Sequence, residues 1–289
     1  MRTILVPTDF SDCSADAVKY AIHFAEKTQR RLLFFNSTFL LIPTRSSAKD
    51  HLSAVKSDKE AKMRTLTEFI EKIYDTLKIK RSENNTRFLV KFGNSVVENI
   101  TKTINEQFID LIIIGTHGAT GFRKVFSGSN TASVIEQSYC PVLAIPNKYR
   151  FDGIKTIAYA SSNLDNLKKE LKKIIPVAQK LEASLEIFHI TVAAEARAKW
   201  REFNSKEFMK SLSHYFRFYN MSLYIIDGEK NSLINEIKDF VKHNKPDMLA
   251  MLTHKRSSFE KIFNTSRTKK ISYHLNVPLM ALNKLKNNL

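Results

Sequence analysis

The sequence predicts an α/β protein of two doubly wound domains in tandem, and three observations carry that reading. Short apolar runs alternate with stretches of helical periodicity. Those runs are continuous rather than strictly alternating, as in parallel strands covered on both faces. The second half repeats the plan of the first. A chain of 289 residues has room for two cores at roughly 100–200 residues per domain.

Strands are expected at Thr3–Pro7, Leu32–Ser37, Phe88–Lys91, Leu111–Ile114 and Val142–Ile145. Between them Ala15, Val18, Ala21, Ile22 and Ala25 recur at helical spacing, as do Val96, Val97, Ile100 and Ile104. Five strands with intervening helices make one doubly wound domain. In the second half, Lys155-Thr-Ile-Ala-Tyr159 matches Arg2-Thr-Ile-Leu-Val6 at an offset of 153, and Ile187–Ile190 falls where Phe34–Ser37 lies. The offset then becomes 137: Asn231-Ser232 matches Asn94-Ser95, Asp247 matches Asp110, Thr253-His254 matches Thr116-His117, and Val277-Pro278 matches Cys140-Pro141. The difference falls where the first half carries an extra polar stretch around Pro43–Lys62. A junction near Asn147–Asp152 separates domains 1–148 and 150–289.

With 43% hydrophobic and 26% charged residues, and no apolar run near the ~18 residues of a membrane span, global disorder and membrane insertion are excluded. The N-terminal apolar run is too short for a secretory signal. Cys13 and Cys140 lie in no C-x-x-C pattern, so they read as small buried hydrophobes of a reducing, cytoplasmic protein rather than as zinc ligands or a disulfide framework. The net charge of +17 calls for an anionic partner. Residues 1–148 hold 21 Lys and Arg against 15 Asp and Glu, and residues 149–289 hold 25 against 14, so the excess leans to the second half.

Of seven glycines, Gly115, Gly118, Gly121 and Gly128 lie within fourteen residues directly after the fourth strand. A strand, a glycine-rich loop and a helix opening at Gly128-Ser129 form an anion cradle: backbone N–H groups approach unhindered, and the helix start adds a positive dipole end. The plainer reading is a tight turn with Ser129 as helix cap. Neither a Walker A loop nor a Gly-x-Gly-x-x-Gly fingerprint occurs.

Gly115-x2-Gly118-x9-Gly128-Ser129, with Pro7-Thr8-Asp9 after the first strand and Cys140-Pro-Val-Leu-Ala-Ile145 at the end, resembles the ATP-binding branch of the universal stress protein family. The resemblance covers both halves and implies two tandem Rossmann-like domains, each a five-stranded parallel sheet flanked by helices. It further implies a stress-response regulatory protein holding ATP, or another adenine nucleotide, across the carboxyl ends of the strands. Carried over by position, Pro7, Thr8 and Asp9 would line the adenine end, with Asp9 contacting the base and Ser37 lining its pocket. Ile114 and Gly115 would lie by the ribose, and the phosphates would meet the backbone at Gly118, Gly128, Ser129 and Asn130. Mg²⁺ can accompany the phosphates through Ser129 or water. Ser37 departs from the family, where an apolar residue is usual, and Asp9 also reads as part of a capping sequence.

His117 reads as structural, since Thr253-His254 persists where the glycines are lost, and Arg123 and Lys124 read as a solvated loop. In the second repeat Leu252, Lys255 and Thr265 stand at the positions of Gly115, Gly118 and Gly128, and Ser162 stands at that of Asp9. That half is expected to keep the fold and lose the site, unless Lys255 and Arg256 hold another anion. No acidic residue lies between Gly115 and Gly128, so ATP is expected to act as ligand rather than substrate, with a slow ATPase or self-phosphorylating enzyme as the alternative. The partners expected are the nucleotide and the other repeat, paired along Val142–Ile145 and Pro278–Leu282, with a homodimer left open. A nucleic-acid surface is a third reading: Trp200, Phe203, Phe208, Tyr215, Phe216, Phe218 and Tyr219 stand among basic residues, but helical spacing reads them as core.

Overall fold

Ile4, Leu5 and Val6 have no exposed surface, because β1 (Thr3–Pro7) runs through the middle of a parallel sheet with helices over both faces. The computed structural model describes residues 2–39, 48–116, 129–161, 163–191, 204–228, 233–253 and 276–283. The chain divides into two compact units, Met1–Phe151 and Asp152–Leu289.

In the first unit β1 is followed by α1 (Asp12–Thr28), β2 (Arg31–Thr38), α2 (Ala48–Leu77), β3 (Thr86–Phe92), α3 (Val96–Glu106), β4 (Ile109–Gly115), α4 (Ser129–Gln137) and β5 (Val142–Ile145). The strand order is β3-β2-β1-β4-β5, all neighbours parallel. The chain steps outward from β1 to β2 and β3, then crosses back to β4 and β5. The turning point therefore lies between β1 and β4, the crevice where open α/β sheets take ligands. Helix starts follow local chemistry: the Ser11 hydroxyl caps α1 by accepting from the Ser14 N–H, and Ser95 caps α3 by accepting from the Glu98 N–H. α1 ends at Gln29, whose φ of 51° turns the backbone left-handed while its N–H returns to the last turn.

The five expected strands of the first half occur, extended by up to three residues at their ends. The polar stretch expected around Pro43–Lys62 is, from Ala48 onward, the first part of the 30-residue helix α2. Leu66, Ile70, Ile73 and Tyr74 form its buried stripe, so the helix is held by its second half.

The second unit runs β6 (Thr156–Ser161), α5 (Leu167–Leu181), β7 (Ser184–Thr191), α6 (Ser205–Phe216), β8 (Met221–Asp227), α7 (Leu233–Asn244), β9 (Met248–Thr253) and β10 (Leu279–Asn283). Its order, β8-β7-β6-β9-β10, repeats that of the first unit. Ile157, Tyr159, Leu185, Ile187 and Phe188 form its core. Among the described residues no helix is long and apolar enough to cross a membrane. Cys13 and Cys140 are both free and buried, and burial pushes the Cys140 thiol up to about 11. Neither is disposed to react as a thiolate at neutral pH.

Candidate functional site

The expected site residues of the first half come together at the carboxyl ends of three adjacent strands. Pro7 pairs with Phe35, so Asp9 and Ser37 each lie two residues past the same rung. Leu5 pairs with Ile112 on the other side, which brings Ile114 and Gly115 to the same end across the crevice. The Thr131 hydroxyl donates to the Gly115 carbonyl at 2.8 Å, tying the first turn of α4 to the end of β4. Ser129 and the exposed Asn130 thus stand at a helix N-terminus over the same crevice. Gly118 and Gly128, with His117, Gly121, Arg123 and Lys124, lie outside the described residues.

The loop after β1 is heavily braced. Asn36 Nδ2 donates to the Thr8 carbonyl at 2.8 Å, the Thr8 N–H donates to the Phe35 carbonyl at 2.8 Å, and the Thr8 and Ser14 hydroxyls are 2.8 Å apart. Phe10 is held at a φ of 67°, a left-handed conformation uncommon for a non-glycine residue. Its N–H donates to Thr8 Oγ1 at 3.1 Å and its ring packs edge-on to Phe69 at 5.3 Å. These contacts present the exposed Asp9 side chain at the mouth of the crevice.

Asp9 Oδ1 accepts from the Ser11 N–H at 3.1 Å and the Ser11 hydroxyl at 2.6 Å. The capping role read from Thr-Asp-Phe-Ser is therefore real, but Ser11 is the cap and Asp9 its support. Ser37 is half-buried and accepts from Asn99 Nδ2 at 2.9 Å, and a Cβ on Gly93 would lie 2.8 Å from that same amide. Asn36, Asn99 and Thr131, which position Thr8, Ser37 and Gly115, had no sequence signal beyond being polar residues in apolar surroundings.

Gly115 has a structural reason to be glycine. A Cβ there would lie 2.8 Å from the Cys13 carbonyl oxygen and 3.0 Å from its Sγ, so α1 packs directly on the end of β4. Gly115→Ala should cost about 1–3 kcal/mol by overpacking against backbone. An unchanged denaturation midpoint would show that α1 can yield.

The second unit repeats the scaffold with different contents. His189 Nδ1 donates to the Ser161 carbonyl at 2.9 Å, the counterpart of Asn36 on Thr8. Leu252 stands at the Gly115 position at the end of β9, and a 3₁₀ turn, Leu164–Asn166, replaces the first turn of α1. Beneath it Glu170, 5% exposed, accepts through one oxygen from the Tyr159 hydroxyl at 2.9 Å and the Ser161 hydroxyl at 3.1 Å. The residue matching Glu170 in the first unit is Ala17. A carboxylate under the crevice opposes an anionic ligand there. Ser162, Lys255, Arg256 and Thr265 lie outside the described residues. Among the described residues no cluster of three or more His, Cys, Asp or Glu side chains could hold a metal ion.

The universal stress protein family model matches residues 1–146. Over 161 residues the chain is 26% identical to a universal stress protein of Methanocaldococcus jannaschii, covering 51% of this chain and 96% of the relative. It is also 26% identical to the universal stress protein YxiE of Bacillus subtilis over 143 residues, 49% of this chain and 97% of the relative. The crystal structure of a universal stress protein from Archaeoglobus fulgidus shares the fold along the whole length, with 99% of this chain and 97% of that chain covered, a TM-score of 0.65 and 15% identity. The chain belongs to the universal stress protein family.

Proposed function

We propose that this protein is a regulatory adenine-nucleotide binder that holds ATP in its first repeat and uses it as a ligand rather than a substrate. The observation that carries the reading is the convergence of Asp9, Ser37, Gly115 and the N-terminus of α4 on the crevice between β1 and β4. The described residues there fit the base end of a nucleotide. Asp9 offers a carboxylate acceptor to a ring amine, Ser37 a wall, and the described loop positions 8–11, 38–39, 93–95 and 116 hold no lysine or arginine. The phosphates would then rest on backbone N–H groups of Gly118, Gly128, Ser129 and Asn130, where the dipole of α4 favours negative charge. Mg²⁺, where present, would be carried by the phosphates with Ser129 or water.

Turnover needs a positioned base and a cation aimed at the developing charge. Asp9 is engaged with Ser11 on the base side and cannot serve both ends. Amides that hold ground-state phosphates favour retention over reaction.

Thermal denaturation with ATP tests the proposal. At about 100 times the dissociation constant the ligand adds roughly 2.7 kcal/mol, about 2–4 °C or more in midpoint for a unit of this size. Gly128→Val should remove that shift. Phosphate release on the order of 1 s⁻¹, near the low end of ordinary enzymes, that vanished in Gly128→Val would make the protein an ATPase instead.

A further inference from the structure

We propose that the second unit binds single-stranded nucleic acid on the outer face of α5 and α6, with Tyr215 and Tyr219 as stacking platforms among lysines. Helical spacing reads the aromatics of this region as core, and Phe218 is indeed buried, but Tyr215 is 51% and Tyr219 67% exposed. Lys168 of α5 places its Nζ 3.5 Å from the centre of the Tyr215 ring, so the two helices share one surface. The His214 ring lies 5.8 Å from Tyr219, and Arg217 follows at the end of α6.

The charge on this face is one-sided. α5 carries Lys168, Lys169, Lys172, Lys173 and Lys180, all exposed or half-exposed, and its single acid, Glu170, is turned inward to Tyr159 and Ser161. α6 adds Lys206 and Lys210 against Glu207. The first unit supplies an internal control. α1, at the same place in the same fold, carries Asp12, Asp16 and Glu26 against Lys19 and Lys27, so the sheet does not require a basic helix there.

Cations spaced along a helix suit a phosphate backbone, and exposed tyrosine rings suit unpaired bases. A lipid surface would be met by exposed aliphatic or phenylalanine side chains. On α5 and α6 no leucine, isoleucine, methionine or phenylalanine is exposed.

The test is fluorescence anisotropy of the full chain with a labelled oligouridine of about 15 nucleotides, the size range of single-strand sites. Saturable binding that weakens with salt is expected. Tyr215→Ala with Tyr219→Ala should weaken it at least about tenfold without moving the thermal midpoint, since both rings are exposed. Lys168→Gln with Lys172→Gln should lower the slope of log affinity against log salt by about one. Lys19→Gln with Lys27→Gln should leave binding unchanged, and so should Gly128→Val, which separates this surface from the nucleotide site. Oligothymidine in place of oligouridine tells DNA from RNA. The proposal is overturned if the tyrosine pair has no effect, if polyglutamate competes as well as the oligonucleotide, or if vesicles rich in phosphatidylserine bind while neither oligonucleotide does.

Discussion

Asp110→Ala is expected to destabilise the first unit by about 3–5 kcal/mol, the cost of stranding a buried charge. Arg30 Nη1 donates to Asp110 Oδ1 at 2.8 Å, with the two side chains 10% and 28% exposed, and Arg30 Nε is buried without a hydrogen-bond partner. Burial lowers the Arg30 guanidinium and raises the Asp110 carboxyl from their ordinary values, each opposed by the other's charge. Removing the carboxylate takes away the compensation and leaves the cation's desolvation in place. At roughly 2–4 °C per kcal/mol the midpoint should fall by about 6–15 °C. Arg30→Met combined with Asp110→Leu should recover much of the loss, because a packed apolar pair has no charge to desolvate. An Asp110→Ala midpoint within about 1 °C of the parent would mean that water already solvates Arg30.

Glu170→Ala should cost the second unit about 2–4 kcal/mol. It deprives the Tyr159 and Ser161 hydroxyls of their shared acceptor, at about 1–3 kcal/mol for each buried donor left unsatisfied. Burial, reinforced by the Glu170 charge, pushes the Tyr159 phenol well above its ordinary value. The sign of the pH effect follows: the folded state keeps a proton that the unfolded chain releases near pH ~10. Stability is therefore full below that pH and falls as pH rises above it. Urea denaturation of Glu170→Ala and of Tyr159→Phe across pH 7 to 11 checks both points. A Tyr159→Phe variant with the parent's alkaline slope would refute the assignment.

The buried strands were legible because β1, β4 and β5 are covered on both faces and read as unbroken apolar runs. β3 was recognised only at its centre: it is an edge strand, and Arg87, Lys91 and Phe92 are exposed or half-exposed. Helix α2 was hidden by its polar first half, whose side of the helix has no core to report. At the site, Asp9, Ser37 and Gly115 were legible through their spacing. Their roles were less so, since the tight fit of Gly115 against Cys13 joins residues 102 positions apart. The Asp110–Arg30 pair and the Tyr159–Ser161–Glu170 cluster were not legible, because each joins residues on different elements and leaves no periodic trace. Asp247 shows the limit of repeat matching. It aligns with Asp110, yet its Oδ2 accepts from the Lys155 and Thr156 N–H groups at 2.7 and 2.9 Å, a local brace rather than a partner for a buried cation.

The central claim is one nucleotide site per chain, in the first repeat. It follows from the glycines, Asp9 and the open crevice of that half, set against Leu252 and the buried Glu170 of the other. Isothermal titration of the full chain with ATP tests it most directly. A stoichiometry near one that disappears in Gly128→Val is the predicted result, and a stoichiometry near two, or binding that survives Gly128→Val, would contradict it.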